Sequence, residues 1–350
     1  MTLILSNQDA EELLPMSDCV AALEEAYREL AHERAASALR SDAITTTARP
    51  DTVYSLKLMG GVLPSMGVGV VRLNSDIISF GEKRQVKLPL APGNRYTGLV
   101  LLFSSETGEP LAIFPDGVLQ RMRVGGASAL GVKYLARPDA TTVGVIGAGW
   151  QAGGQVMAIA ATRKVDLIRC YSPTRDRLEA FCTEMRERTG VNVRPAATPE
   201  EAVRGAGIVL CATNATQNVF FERWLEPGMH VGTIRGAEME PAAVRRADVI
   251  AIHDRSARAM TITTRGVELP KARHTIPGLE ERMAQAPTLG ELIAGLAQGR
   301  RFPDQISCFL NVTGIGLQFA AVGAAFYRKA REAGRGRELP TEWFTEDVLP

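Results

Sequence analysis

The chain predicts an α/β fold in which a doubly wound parallel sheet is inserted in a second, α+β domain. Three observations carry this reading. From Thr141 onward, strand-like apolar runs alternate with helix-compatible segments. The first run, Val143 to Ile146, stops at Gly147-Ala148-Gly149-Trp150-Gln151-Ala152, a Gly-x-Gly-x-x-Ala turn that opens a helix. That unit does not begin the chain, because a β-rich stretch precedes it and a helical one follows.

Taken in order, residues 17 to 35 form an amphipathic helix with Val20, Leu23, Ala26, Tyr27 and Leu30 on its apolar stripe and Ser17 or Asp18 as its cap. Val53 to Met59 and Val68 to Leu73 alternate as strands do. Leu99 to Phe103 and Leu111 to Phe114 flank a hairpin turn at Ser104-Ser105-Glu106-Thr107-Gly108-Glu109. Phe80 to Arg95, rich in Lys, Pro and Gly, reads as a loop, and Asp116-Gly117 caps a helix running to about Ala136. Further strands are expected at 167–171, 191–193, 208–212, 229–234 and 249–252, with helices near 150–162, 174–188 and 198–204. Ile306 to Arg331 reads as helical. The expected division is 1–128 plus 310–350 as one domain and 129–309 as the other.

Composition narrows the function classes. Lys plus Arg number 40 against 39 acids, so no global field favours nucleic acid or an anionic membrane. No apolar run approaches a membrane span, and the opening residues do not read as a signal peptide. Cys19, Cys170, Cys182, Cys211 and Cys308 are scattered and form no metal spacing. His32, His230, His253 and His274 are likewise dispersed, so no metal site is expected. These features fit a cytoplasmic protein with reduced thiols.

The glycine turn carries the chemistry. Gly147 permits the turn, Gly149 admits a pyrophosphate to the backbone, and Ala152 lets helix pack on strand. The helix N-terminus adds free N–H groups and a positive dipole end, so a nicotinamide or flavin dinucleotide is expected there. The second strand ends Tyr171-Ser172-Pro173-Thr174-Arg175, with Ser172 where an acid would grip ribose hydroxyls. Ser172, Thr174 and Arg175 suit a 2′-phosphate, which favours NADP(H) over NAD(H), unless Ser172 and Thr174 merely cap the next helix. Thr213 and Asn214 follow the fourth strand of the parallel sheet, at the carboxyl edge where nicotinamide ribose contacts occur, or form a plain turn there, and Ile234 ends the next strand.

The chain resembles the ornithine cyclodeaminase/μ-crystallin family over nearly its full length. The likeness rests on Thr107-Gly108-Glu109-Pro110-Leu111-Ala112, Leu119-Gln120-Arg121-Met122-Arg123-Val124-Gly125-Gly126-Ala127, the Gly147–Ala152 turn, Trp224-Leu225-Glu226-Pro227-Gly228-Met229-His230-Val231, Leu289-Gly290-Glu291-Leu292 and Asp304-Gln305-Ile306. It implies a homodimer whose first and last segments form a dimerising substrate domain, and hydride chemistry on amino acids or cyclic imines. Arg123 matches an arginine that grips the substrate carboxylate, and its place on an apolar helical stripe already calls for an anionic partner or an internal ion pair. Arg40 falls near a second such arginine, or is a solvated surface residue.

Departures from the family pattern matter as much. Arg72 stands where the family has its catalytic lysine, and an arginine cannot readily serve as a base. Ala237 takes the place of the catalytic aspartate, leaving Glu238 as a shifted substitute. Phe319 replaces an acid on the helix that closes the site. Lys57 stands where the cyclodeaminase is acidic. It shares a strand face with Val53, Ser55 and Met59, while Tyr54, Leu56 and Leu58 are expected to pack on the other. If Lys57 faces the site rather than solvent, the substrate carries two anionic groups. Three readings follow: an NAD(P)-dependent oxidoreductase acting on a C–N bond of a small carboxylate, a cyclodeaminase that recycles its cofactor, or a non-catalytic NADP-dependent binder.

Overall fold

A computed structural model describes residues 1–80, 85–267, 269 and 278–347. His274, residues 81–84 of the expected loop, and the last three residues lie outside these. The chain runs through β1 (Thr2–Ile4), α1 (Asn7–Leu13), α2 (Met16–Ala31), β2 (Ala36–Ser37), β3 (Arg40–Thr46), β4 (Thr52–Leu63), β5 (Val68–Phe80), β6 (Gln85–Leu88), β7 (Thr97–Ser104), β8 (Pro110–Pro115) and α3 (Gly117–Leu135). It continues as β9 (Thr142–Ile146), α4 (Trp150–Thr162), β10 (Leu167–Tyr171), α5 (Arg175–Thr189), β11 (Val193–Pro195), α6 (Pro199–Val203), β12 (Ile208–Cys211), β13 (His230–Thr233) and α7 (Pro241–Arg246). Last come β14 (Val249–Ile252), β15 (Ala259–Thr263), α8 (Glu280–Gln285), α9 (Leu289–Ile293), β16 (Ser307–Leu310), α10 (Gly316–Glu332) and β17 (Arg337–Leu339).

Two sheets result. One is mixed, in the order β15-β3-β4-β5-β7-β8-β1-β17, with β2 and β6 attached to β4 and β5. The other is parallel, in the order β11-β10-β9-β12-β13-β16-β14. The α/β class with a doubly wound parallel sheet is thus as expected, but the sheet has seven strands and not six. The added strand is β16, inside the stretch expected to be helical, and it inserts between β13 and β14. Its residues Ser307, Cys308, Phe309 and Leu310 are all buried. A short apolar run covered on both faces has no periodicity that separates strand from helix. Within the expected 80–95 loop, Gln85–Leu88 pairs with the end of β5. Strands β1, β15 and β17 and helix α1 had no clear sequence signal.

The helix caps also differ from expectation. Pro15, not Ser17 or Asp18, precedes α2, and the Asp18 carboxylate pairs with Lys329 at 2.6 Å. Asp116 does precede α3, but its side chain caps nothing and turns into the sheet.

Long strands β4 and β5 alternate strictly between covered and open faces, as a sheet with one packed side must. The covered face of β4 carries Val53, Ser55, Lys57 and Met59, while Leu58 on the opposite face is 40% exposed. The polar face is therefore the inner one, the reverse of the expected packing of Leu56 and Leu58. Helix α10 lies directly on this inner face. A Cβ on Gly61 would fall 2.6 Å from the Leu317 nitrogen, and one on Gly316 would fall 2.0 Å from the Gly60 oxygen. Those two glycines bring helix and strand backbone to backbone, and Phe319 of the same helix lies against Arg72 of β5.

His230 on β13 and His253 just after β14 are fully buried, and burial depresses their ring pKa values to about 3 and about 4. Below the ordinary value of 6.5 the unfolded chain takes up a proton at each ring while the folded chain does not. Their contribution is whole above that value and is lost as the pH falls toward 4, at about 1.4 kcal/mol per pH unit for each ring. Urea unfolding at pH 7, 6 and 5 should show falling midpoints, with the slope reduced in His253→Asn. Equal slopes in the two proteins would contradict this assignment.

Candidate functional site

The inner face of the mixed sheet gathers the predicted cations. On β5, Arg72, Asn74 and Asp76 alternate on the covered side, opposite Met59, Lys57 and Ser55 of β4. Arg72 is 3% exposed and is met by Asp116, with Nε donating at 2.8 Å and Nη2 lying 2.6 Å from the same oxygen. Asn74 donates to that oxygen at 2.9 Å. Gly98 makes the arrangement possible, since a Cβ there would strike Asp116 and Asn74 at 2.1 and 2.2 Å. Burial lowers the Arg72 pKa and the Asp116 charge opposes that effect.

Lys57 is buried and donates to Asp76 at 2.8 Å, and Lys87 of β6 reaches the same Asp76 oxygen at 2.9 Å. Burial brings the Lys57 pKa down to about 8, against the pull of Asp76. Arg40 on β3 is half-buried and forms a two-pronged pair with Asp42 at 2.7 and 2.6 Å. Lys57 therefore does not face open solvent, whereas the Arg40 side chain stays 22% exposed.

Arg123, on α3, differs from these three. Among the described residues it pairs with no carboxylate. Its Nη1 donates to Gln318 Oε1 at 2.8 Å, Gln318 donates onward to the Tyr27 hydroxyl at 2.9 Å, and its Nε has no partner. Gly314 leaves room for the guanidinium, since a Cβ there would lie 1.8 Å from Nη1. Arg72 and Arg123 stand over one ring, Phe319, at 5.2 and 4.9 Å from its centre. Burial first, then the neighbouring Arg72 charge, brings the Arg123 pKa down to about 9. The two guanidinium groups from separate stretches thus meet, and one of them has no carboxylate paired with it among the described residues.

The glycine turn sits at the carboxyl end of β9. Gly147 has φ 124°, and a Cβ there would lie 2.2 Å from the Ala212 oxygen. Gly149 begins α4 with no side-chain cap, and the space beside it is open. The first amides of a 13-residue helix therefore stay available, and Gln151 nearby has a buried Oε1 without a partner. Ala148 is half-buried and Ala152 buried against the sheet. This cradle fits a dinucleotide pyrophosphate. Trp150, 49% exposed, is held across the turn: the Arg121 guanidinium lies 3.7 Å from its ring centre, and its indole N–H donates to the Gly117 oxygen at 3.2 Å.

At the end of β10, Ser172 is half-buried and Thr174 exposed, and Thr174 precedes α5 without capping it. Arg175 is exposed and pairs with Glu179 at 2.9 Å. Across the sheet edge, Glu238 is fully buried and accepts from five donors: the Thr213 amide at 2.5 Å and hydroxyl at 2.9 Å, the Thr233 hydroxyl at 2.6 Å, and the Ile234 and Arg235 amides at 3.0 Å each. Burial raises its pKa while these bonds oppose the rise. Its oxygens are occupied, so the expected proton-carrying substitute is instead a brace joining the ends of β12 and β13. Asn214 beside it is exposed. No cluster of metal-ligating side chains exists among the described residues, and none of their helices is long and apolar enough to cross a membrane.

Asp76, Lys87, Gln318 and Tyr27 were not singled out as site residues from sequence. Asp76 was legible as the next inward position after Arg72 and Asn74. Lys87 lay in a segment without strand periodicity, and Asp116 has the look of an ordinary cap.

The ornithine cyclodeaminase/mu-crystallin family model matches residues 1–334. The chain belongs to this family. It is 30% identical over 341 residues to an uncharacterized cyclodeaminase of Sinorhizobium fredii, covering 95% of this chain and 97% of that protein. It is 28% identical over 342 residues to a Δ1-pyrroline-2-carboxylate reductase of Bacillus cereus, covering 96% and 99%. Among solved structures, an archaeal alanine dehydrogenase dimer with bound NAD aligns with TM-score 0.77 and 25% identity over 97% of this chain and 99% of that one. The Thermococcus litoralis Δ1-pyrroline-2-carboxylate reductase, in complex with NADH and L-proline, aligns with TM-score 0.79 at 24% identity over 97% and 100%, which shows the shared fold. The chain is an enzyme of this family.

Because Glu238 holds both loop ends, Glu238→Gln should weaken nicotinamide dinucleotide binding about tenfold or more, as an amide cannot accept from five donors. Fluorescence titration of Trp150 and the other tryptophans with NADPH checks this, and an unchanged dissociation constant would remove the bracing role.

Proposed function

We propose that this chain interconverts a small amino acid and its 2-imino or 2-oxo counterpart, with Arg123 holding the substrate carboxylate. It is an NAD(P)-dependent oxidoreductase acting on C–N bonds, as its full-length kinship to pyrroline-2-carboxylate reductase and alanine dehydrogenase indicates. The observation that carries the substrate reading is the buried, carboxylate-free Arg123 beside a second guanidinium. An unpaired buried cation is costly, and an anionic ligand relieves that cost.

The cofactor supplies or accepts the hydride when bound. The chain's own groups do the rest. Arg123 fixes the carboxylate, so the reacting carbon next to it is held in one place. Arg72, clamped by Asp116, keeps its proton and stabilises negative charge near the reacting centre without acting as base. Phe319 covers both guanidiniums and keeps water from them. Glu238 is a positioning residue for the loops holding Thr213, Asn214 and Ile234. A cyclodeaminase reading is less well supported, because the cations on this face would repel the second amino group of a diamino acid.

Within the dinucleotide class, NADP(H) is the preferred cofactor. No carboxylate ends β10, and Ser172 and Thr174 are free of cap bonds. Arg175 is tied only by an exposed ion pair that exchanges at small cost. The assembly is a homodimer through the open face of the mixed sheet, where Leu58, Val62 and Val71 are 40%, 45% and 40% exposed beside half-buried Leu56, Leu73, Leu101 and Phe103. The five buried free cysteines suit a reducing cytoplasm.

Arg123→Met should raise KM for the carboxylate substrate about a hundredfold while nucleotide affinity holds. A proportional loss of both would point to misfolding instead. Direct titration should give a lower Kd for NADPH than for NADH, and the reverse order would overturn the cofactor preference. Light scattering should give twice the monomer mass, and Leu58→Lys with Val71→Lys should halve it.

A further inference from the structure

Charge is not evenly balanced on the inner face of the mixed sheet, and the imbalance falls in two places. Arg40 is matched by Asp42, and Arg72 by Asp116. Arg123 is matched by no carboxylate among the described residues. At the other end, Lys57 and Lys87 share a single Asp76 oxygen at 2.8 and 2.9 Å, so two ammonium groups face one carboxylate. The Asp76 and Lys57 side chains are 1% and 10% exposed, while Lys87 keeps 40% of its side chain in solvent, so the group is buried at one end and reachable at the other. Ser55, directly opposite Asp76 in register, is fully buried and its hydroxyl has no partner.

Both places border β5, Arg123 through the Phe319 ring it shares with Arg72 and the lysine pair through Asp76. Arg72, Asn74 and Asp76 occupy successive inward positions of β5, each step about 7 Å along the strand. A single positive surplus remains at each end, with neutral Asn74 between them.

We propose that the Lys57–Asp76–Lys87 clamp is a subsite for a second carboxylate, so that the substrate is a dicarboxylic 2-imino or 2-oxo acid. This rests on the function proposed above, with the first carboxylate on Arg123. A cationic distal group would be repelled by the paired lysines. An apolar one would strip water from a net positive cluster and offer nothing in return. A carboxylate supplies the missing charge and an acceptor for the stranded Ser55 hydroxyl. Burial lowers the Lys57 pKa, and a bound anion beside it would raise it again.

The test is a pair of length-matched comparisons with NADPH and ammonium: oxaloacetate against 2-oxobutanoate, and 2-oxoglutarate against 2-oxopentanoate. The dicarboxylate should exceed its partner at least tenfold in kcat/KM in one pair. Lys57→Met and Lys87→Met should each cut that ratio at least tenfold, chiefly through KM. Lys87, whose side chain is 40% exposed, guards against a folding failure in the Lys57 variant. A ratio of one or less in the parent protein, or a ratio unmoved in the Lys87 variant, overturns the proposal. If no 2-oxo acid turns over, the proposed reaction fails but the subsite is still testable by thermal unfolding with NADP present. Succinate should then protect more than butyrate, and Lys87→Met should abolish the difference. Equal protection by the two acids overturns the subsite.

Discussion

One buried guanidinium without a carboxylate organises what this molecule can do. Arg40, Lys57 and Arg72 all meet acids supplied by the chain itself, on β3, β5 and the turn before α3. Arg123 meets an amide oxygen and an aromatic ring. Gln318 can orient the guanidinium but cannot cancel its charge, and a neighbouring Arg72 adds repulsion. Such an arrangement is stable only because the fold around it is strongly determined. Gly314 yields space, Gly61 and Gly316 seat α10 on β4, and Phe319 covers both cations. The cost of holding Arg123 this way is met elsewhere in the core, and the proposed substrate carboxylate would recover it.

The same helix ties the arginine to the nucleotide cradle. Helices α3 and α4 touch backbone to backbone: a Cβ on Gly125 would fall 2.2 Å from the Gly154 oxygen, and one on Gly154 would fall 2.6 Å from the Arg121 oxygen. Two residues before Arg123, Arg121 stacks on Trp150 at the mouth of the glycine turn and pairs with Glu11 of α1. Glu11 also accepts from Arg188 of α5 at 3.0 Å. The glycine turn and Arg123 therefore sit on one closely packed pair of helices. Hydride transfer requires that kind of fixed distance between two bound molecules, and close packing of glycines provides it without a flexible linker.

Much of this was readable from the chain, and the failures have physical causes. The glycine turn, the alternation after Thr141 and the inward period of β4 are local patterns, and local patterns survive folding. The strand Ser307–Leu310 escaped because a fully buried strand shows no alternation. The polarity of the mixed sheet was inverted because the strand face carrying Ser55 and Lys57 looked like the wet one. Its burial depends on Asp76 and Asp116, which are distant in sequence and supply the charges that make burial tolerable. Asp116 read as a helix cap for the same reason. Asp-Gly before a helix is a local signal, whereas the demand of Arg72 for a carboxylate is a tertiary one.

Glu238 and Arg123 show how burial alone misleads. Both are almost inaccessible, both are charged in their ordinary state, and both have pKa values pushed toward neutrality by desolvation. Glu238 lies beside the nucleotide edge and looks, by position, like a reacting group. Yet five donors converge on its two oxygens and leave no lone pair facing outward in a useful direction. A carboxylate so fully satisfied is structural material, and a proton placed on it would break bonds that hold two loops. Arg123 has an unpartnered Nε and, among the described residues, no carboxylate paired with it. The quantity that separates the two is the unmet bonding capacity of each group once the chain has folded. By that measure the arginine cluster on the inner sheet face is where the proposed chemistry belongs, and the carboxyl edge of the parallel sheet is where the proposed cofactor site belongs.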